Sequence, residues 1–438
     1  MLLALYMGLI LPSLLTGGEG AYATTEVEEP EITTECALVY CENTDQVIYQ
    51  KNESTMASPF STTKLLTAYL VVKYLSLDDV ITVSANAARW AEEDEYSHIG
   101  LKAGETLTVE QLLYGLMLES GNDAAVALAE AISGDEDSFA MLMTATAEDW
   151  GCTNTNFTNA SGFLGDNHYT TAEDLLIIAR EAFRNETVHQ ICSTLTYTIP
   201  ATNLSEAREM RNTCRLLWEE DQDTVAAKTG SWDYENTVVV EYTRNQLTFI
   251  AILLRSNKDV RENDAHALMQ YSLDCQSKVT LEKAGYDAGS LPVTGGEKTR
   301  THAYAKDDVW VYVPPKTPED VITLEPSLKK AAHAPLEEGD RVGTLYVCVG
   351  GVQVNQVELI AGESIGKGWF PSQFGVSNTA TALTVAVTVL LLIISGIRNL
   401  LVWYDVKDDQ EHQELVMEML RQRLEEEERK KNHVEKLP

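Results

Sequence analysis

Eighteen consecutive residues towards the C-terminal end, Ala380–Ile397 (ATALTVAVTVLLLIISGI), carry no charge, and none precedes them back to Lys367. A run of this length approaches the ~20 apolar residues with which an α-helix crosses a bilayer. Arg398 follows at once, then Trp403 and Tyr404 at interface spacing, so a transmembrane helix is expected over 376–397. A buried core helix is the alternative, but the charged stretch beyond it fits that poorly. The chain is therefore expected to divide between at least two solvents.

The first residues point the same way. Residues 2–16 (LLALYMGLILPSLLT) are uncharged and Leu-rich, and Ala21-Tyr22-Ala23 offers a small-x-small cleavage site before Thr24. This predicts a signal peptide over 1–23, although a basic leading segment is missing. With the anchor, it predicts an exported body and a cytoplasmic tail, 398–438, with Arg398 on the inner side. In the tail, Leu415, Val416, Met419, Leu420 and Leu424 recur at helical spacing, and three of the Glu residues 425–428 stand four positions before basic residues. A solvated helix explains that pattern, and a helical partner is the other reading.

The net charge of −34, from 33 basic and 67 acidic residues, argues against nucleic acid as a partner. The tail contributes only −3 of it (8 basic against 11 acidic residues). Seven cysteines form no CxxC pair, and no His/Cys spacing suits a metal, so no metal site is expected.

The body alternates strand and helix signals from about Cys36 to Asp274, an α+β pattern with helices grouped between the first and last strands. Ala37–Tyr49 reads as two strands around Asn43-Thr44-Asp45. Lys64–Leu75 reads as an apolar helix, and Gln111–Ile132 as a second one broken at Ser120-Gly121-Asn122. Thr170 with Glu173 makes a capping box for a helix over Thr171–Phe183. Strands follow at Thr237–Thr243 and Leu247–Leu254. Beyond a Gly-rich linker, 281–298, the pattern is all β over 299–372, with a hairpin at Gly350-Gly351.

Three short motifs carry the chemistry. Ser61-Thr62-Thr63-Lys64 places a hydroxyl and an amine three residues apart on one helix face. A lysine can take the proton of such a serine if burial and a neighbouring cation lower its pKa. Taken alone, such a pair is ordinarily a capping serine and an exposed lysine. Ser120-Gly121-Asn122 interrupts an apolar stretch, as a turn between helices or as polar groups aimed at a substrate. Lys228-Thr229-Gly230 precedes a strand, where Gly lets another backbone lie against the edge.

S-x-x-K, S-x-N and K-T-G in this order are the set shared by class A β-lactamases and penicillin-binding proteins. With the surrounding text (SPFSTTKLLTAYL, LLYGLMLESGNDAAVALAEAISG, TNFTNASGFLGDNHYTTAEDLLIIAR), the chain closely resembles the serine-type D-alanyl-D-alanine carboxypeptidases, the low-molecular-mass penicillin-binding proteins. The resemblance implies a penicillin-binding, β-lactamase-like catalytic domain over 24–280, in which helices pack on an antiparallel sheet. It implies Ser61 as nucleophile, Lys64 as base and Ser120 as proton carrier. It further implies Asn122, Lys228, Thr229 and Gly230 on the substrate, and an oxyanion on the backbone N–H groups of Ser61 and Ser231. The substrate would be a peptidoglycan stem peptide ending in D-Ala-D-Ala, with β-lactams as inhibitors and no cofactor. Met143-Thr144 and Ser231-Trp232-Asp233 depart from the family pattern, the second in a way expected to reshape the carboxylate pocket. A D,D-endopeptidase, a β-lactamase using the nearest E-x-x-L-N-like string (Glu181–Asn185), and a non-catalytic cell-wall scaffold are the competing readings.

Overall fold

A computed structural model describes residues 27–434, apart from 93–94, 220–222 and 258–259. The expected signal peptide, 1–23, lies outside the described residues. Two compact units emerge: the described residues up to Lys283 with Asp308–Glu325 and Tyr346–Val357, and a second comprising Ala284–Asp307, Pro326–Leu345 and Glu358 onwards.

In the first unit a five-stranded antiparallel sheet runs in the order Gln46–Lys51, Cys36–Cys41, Leu247–Asn257, Glu235–Arg244, Thr224–Trp232. The three central strands are almost wholly buried and rich in Val, Ile and Leu, as strands covered on both faces must be. Thr224–Trp232 is an edge strand. Its last residues pair Gly230 with Thr237 and Ser231 with Asn236. Asn245 and Gln246 turn the next hairpin, both with positive φ (54° and 64°), as a two-residue turn demands.

Helices pack against this sheet. Lys64–Tyr74 has buried residues around most of its circumference, which makes it the central rod of the core. Val109–Leu118 opens with a reciprocal capping box between Thr108 and Gln111. Asn122–Ser133 follows after a three-residue break, so the expected interrupted helix is two helices joined at Glu119-Ser120-Gly121. The N-cap expected at Thr170 sits one residue later, as a simple cap with no reciprocal bond. Thr171 accepts from Asp174 N, while the Thr170 hydroxyl bonds Thr155 and its backbone bridges Ala57. Thr170 is thus already committed to an extended pairing and cannot cap. All seven cysteines are free thiols.

The expected linker, 281–298, is not a linker. Ser277–Glu282 pairs with Val309–Val313, and Asp287–Thr294 pairs with Arg300–Ala305. One Gly and a Pro masked the period-two pattern of DAGSLPVT. In the second unit Arg300–Ala305 also pairs with Leu359–Ala361. Regular structure within 299–372 is otherwise strands and short 3₁₀ turns. The apolar run and the tail form one continuous helix, Asn378–Val434, of 57 residues. Within it lies an 18-residue stretch of mean hydropathy 2.4, enough to cross a membrane.

Candidate active site

A single 3₁₀ turn, Phe60–Thr63, delivers Ser61 to the N-terminal end of the core helix. Thr62 ties the turn back by donating its hydroxyl to Pro59 O at 2.6 Å. Thr63 Oγ1 lies 3.0 Å from Nε2 of the buried His168, whose Nδ1 accepts from Thr158 N at 3.2 Å. That backbone donor places the ring proton on Nε2. Burial, reinforced by Lys64, lowers the His168 pKa to about 4, so the ring is neutral at physiological pH.

Ser61 makes no capping bond and Lys64 is fully buried, so the capping-serine reading fails. Lys64 Nζ stands 2.9 Å from Ser61 Oγ, 2.8 Å from Asn122 Oδ1 and 2.6 Å from Ser161 O. Two of these partners are carbonyl oxygens, which only accept. A neutral amine has two N–H groups and one lone pair. Its protons satisfy Asn122 and Ser161, and the lone pair is left for the Ser61 hydroxyl. Burial, then the charge of Lys228, hold the Lys64 pKa well below that of a free lysine. The arrangement favours the form that can accept a proton.

Ser120 sits at φ +61° in the break between the two apolar helices, a strained conformation for a non-glycine residue. Neighbours enforce it: Asp123 accepts from the amides of Ile99, Leu101 and Ala124, and Asn122 N donates to Ser97 O. Across the cleft, Lys228 is fully buried and donates to Ser120 Oγ at 3.1 Å and to Thr229 O at 2.8 Å. Thr229 Oγ1 is 2.9 Å from Thr213 Oγ1. Burial lowers the Lys228 pKa to about 8. A Cβ on Gly230 would lie 2.8 Å from Ser61 N, so the edge strand abuts the nucleophile turn there.

The cleft has two halves that share Ser61, Ser97 and Ser231. One, of about 530 Å³, is lined by Ser120, Thr229, Gly230, Arg215 and Arg261. The other, of about 520 Å³, is lined by Asn122, Gly162, Phe163, Tyr96 and Trp232. Ser61, Lys64, Ser120, Asn122, Lys228, Thr229, Gly230 and Ser231 are thus brought together around one cleft. Trp232 and Asp233 line the second half, so the departure from the family pattern falls on the side away from Thr229. Glu181 pairs with Arg184 on the helix Ala172–Arg184 and lines neither half. The general base a β-lactamase would require is therefore not supplied by that string. Thr144, the other departure, accepts from Phe157 N at 3.0 Å and braces the segment leading to Ser161.

Residues 23–258 match the family model described as D-alanyl-D-alanine carboxypeptidase, and 277–367 match the C-terminal domain of penicillin-binding protein 5. The chain belongs to the D-alanyl-D-alanine carboxypeptidase family. Among curated members, DacA of Escherichia coli is 27% identical over 354 residues, covering 78% of this chain and 86% of that protein. A Streptomyces D-alanyl-D-alanine carboxypeptidase is 34% identical over 272 residues, covering 59% of this chain and 93% of its own length. Penicillin-binding protein 5 of Haemophilus influenzae superposes with a TM-score of 0.54 at 25% identity, covering 78% of this chain and 100% of that one. A family member of this kind is a serine peptidase acting on peptidoglycan D-Ala-D-Ala and binding β-lactams.

Sequence reasoning missed three parts of the site. The Ser161 carbonyl is one: Asn159 Oδ1 gathers the amides of Ser161, Gly162 and Phe163, folding a tight turn that aims it. An Asn three residues before Gly is the turn signal that could have drawn attention. Thr237, which donates to Pro59 O at 3.1 Å, is the second. Arg261 is the third. Its guanidinium is buried, lines the cleft, and has no partner for Nε among the described residues. It opens the helix Arg261–Asp274, where no motif marks it.

Proposed function

We propose that the protein is a serine D-alanyl-D-alanine carboxypeptidase, trimming the terminal D-Ala from stem pentapeptides through a Ser61 acyl-enzyme. The observation that carries this reading is the Lys64 amine, whose acceptors leave one lone pair facing Ser61 Oγ. Ser61 Oγ attacks the penultimate D-Ala carbonyl as its proton passes to Lys64 Nζ. The developing oxyanion rests on the backbone N–H groups of Ser61 and Ser231. The C–N bond breaks, and Ser120 passes a proton to the departing amine. Lys228, Thr229 and Arg261 hold the terminal carboxylate, with Gly230 admitting the peptide beside the edge strand and Asn122 bonding its backbone. Water then hydrolyses the ester. The helix from Asn378 anchors the enzyme, its catalytic unit on the outer face and its charged tail in the cytoplasm, consistent with Arg398 beyond the apolar run.

Mass spectrometry of the full-length detergent-solubilised protein tests the class. Penicillin should leave one covalent adduct on Ser61, and a D-Ala-D-Ala peptide should release free D-alanine. An adduct on another residue would refute the assignment.

The pH profile follows from the two lysines. Acylation needs Lys64 neutral, so it is lost as pH falls through the depressed pKa of that amine. It also needs Lys228 charged, which is lost as pH rises past about 8. Peptide acylation is expected to trace a bell whose alkaline limb lies near pH 8. A rate still climbing at pH 10 would remove the Lys228 charge from the scheme.

A further inference from the structure

Trp369, Phe370, Phe374 and Val376 stand apart from the rest of the second unit. Outside the long helix they are its exposed large apolar side chains among the described residues, and all four fall within eight positions. Phe370 and Phe374 leave 72% and 75% of their surface open. Their rings meet edge to face at 5.5 Å, presented by the short 3₁₀ turn Phe370–Phe374. From Gly368 to the end of the apolar run at Ile397 the sequence carries no charge. An apolar patch this concentrated marks a surface that another phase or molecule covers.

The turn is bound both to the helix and to the loop that joins Asp287–Thr294 to Arg300–Ala305. Trp369 N donates to Asn378 Oδ1 at 2.7 Å, and Asn378 N donates to Glu297 O at 3.1 Å. Gly368 N donates to Gly295 O at 2.8 Å, and Gly295 N to Ser372 O at 3.1 Å. Glycine at 368 lets the two segments touch, since an added Cβ would stand 2.4 Å from Gly296 O. The rings are thereby fixed at the start of the helix Asn378–Val434 rather than hung on slack chain. Trp403 and Tyr404 lie further along that helix, their rings 5.2 Å apart. At 1.5 Å per residue, Asn378 and Tyr404 are roughly 40 Å apart, the thickness of a bilayer with both its interfacial layers. Large rings concentrate in those two layers, where an apolar body and a polar backbone are both accommodated. One aromatic group therefore meets each boundary when the helix crosses.

We propose that the turn Trp369–Phe374 is an interfacial lipid-binding site, its rings seated among the headgroups and first acyl carbons at the bilayer face nearer Asn378. The inference rests on the reading of the helix as a membrane span, and it adds a second point of attachment. A span alone would leave the second unit tethered above the surface, whereas seated rings hold that unit against the lipid. The occupant is lipid rather than another protein because the uncharged surface continues without interruption from the rings into the run that lipid surrounds.

Tryptophan emission from the full-length protein in phosphatidylcholine–phosphatidylglycerol vesicles provides the test, with acyl chains brominated either close to the headgroup or near the midplane. Five of the seven tryptophans lie in the first unit, so Trp369→Phe combined with Trp403→Phe sets the baseline. In Trp403→Phe protein, shallow bromines should quench about a sixth of the emission, the share of one tryptophan in six, and midplane bromines far less. Phe374→Trp added to the double variant should restore the same quenching. Trp369→Phe protein, which keeps Trp403, reports independently that the helix is inserted. Penicillin labelling of each variant reports an intact catalytic unit. Quenching of Trp403 without quenching of Trp369 would overturn the interfacial site and leave the span standing. Stronger quenching of Trp369 by midplane than by shallow bromines would also overturn it. No quenching of either residue would overturn the site and the span together.

Discussion

Replacing Ser61 by alanine is expected to abolish the covalent penicillin adduct and to lower D-alanine release by about 10⁴-fold or more. Losses of this order follow removal of a nucleophile that acts as one unit with its base. The substitution should barely disturb the fold. Ser61 caps no helix, and Lys64 keeps its bonds to Asn122 and Ser161 when the hydroxyl is gone. The thermal midpoint should therefore move by no more than about 3 °C, the equivalent of roughly 1 kcal/mol in a domain of this size. Intact-protein mass spectrometry and a D-alanine assay check the first claim, and a melting curve checks the second. Persistent labelling of the alanine variant would exclude Ser61 as nucleophile.

Gly162→Ala is the second change with a large expected effect, although Gly162 touches no substrate atom in the scheme above. Its φ is +77°, and an added Cβ would lie 1.8 Å from Phe60 O and 2.4 Å from Phe60 C. The obstacle is backbone, so no side-chain rotation relieves it. Left-handed geometry alone costs a non-glycine residue about 1–2 kcal/mol. Separating the two loops adds more, and about 3 kcal/mol or greater is expected in total. The same displacement would carry the adjacent Ser161 carbonyl away from Lys64, and a shift of about 1 Å there should slow acylation about 100-fold. Gly104 supplies the control. Its φ is +81°, but nothing lies within 4 Å of an added Cβ. Gly104→Ala should show the conformational cost alone, with normal penicillin labelling. Equal behaviour of the two variants would mean that the contact with Phe60 does not matter.

The reacting groups were legible in the sequence because helical spacing is a local rule. Ser61 and Lys64 are three residues apart, and the break at Ser120-Gly121-Asn122 stands out inside an apolar stretch. Elements with strong periodicity were found nearly in place, including the strands expected at Thr237–Thr243 and Leu247–Leu254 and the hairpin at Gly350-Gly351. What remained hidden lacks a local signature. Any residue can offer the carbonyl that Ser161 offers, and only the tertiary fold brings it to Lys64. Arg261 is one arginine among many until the helix it opens places it beside Thr237 at the wall of the cleft. The segment 281–298 failed for a different reason, since Gly and Pro signals outweighed an alternation spread over eight residues. Total charge was equally uninformative about the cleft. A net of −34 does not reveal that Arg215 and Arg261 line one half of the groove while Glu95 and Asp233 line the other.

The unbroken helix from Asn378 to Val434 has a mechanical consequence. Each residue of an α-helix advances 1.5 Å and turns 100°, so the hydrophobic run and the stripe Leu415, Val416, Met419, Leu420 and Leu424 share one fixed angular phase. Adding a single residue between Arg398 and Tyr404 would lengthen the rod by only 1.5 Å. It would nonetheless swing that stripe through about 100° relative to the apolar run. The helix is a shaft as well as a membrane-span candidate: its register sets the direction in which the stripe over 415–424 faces.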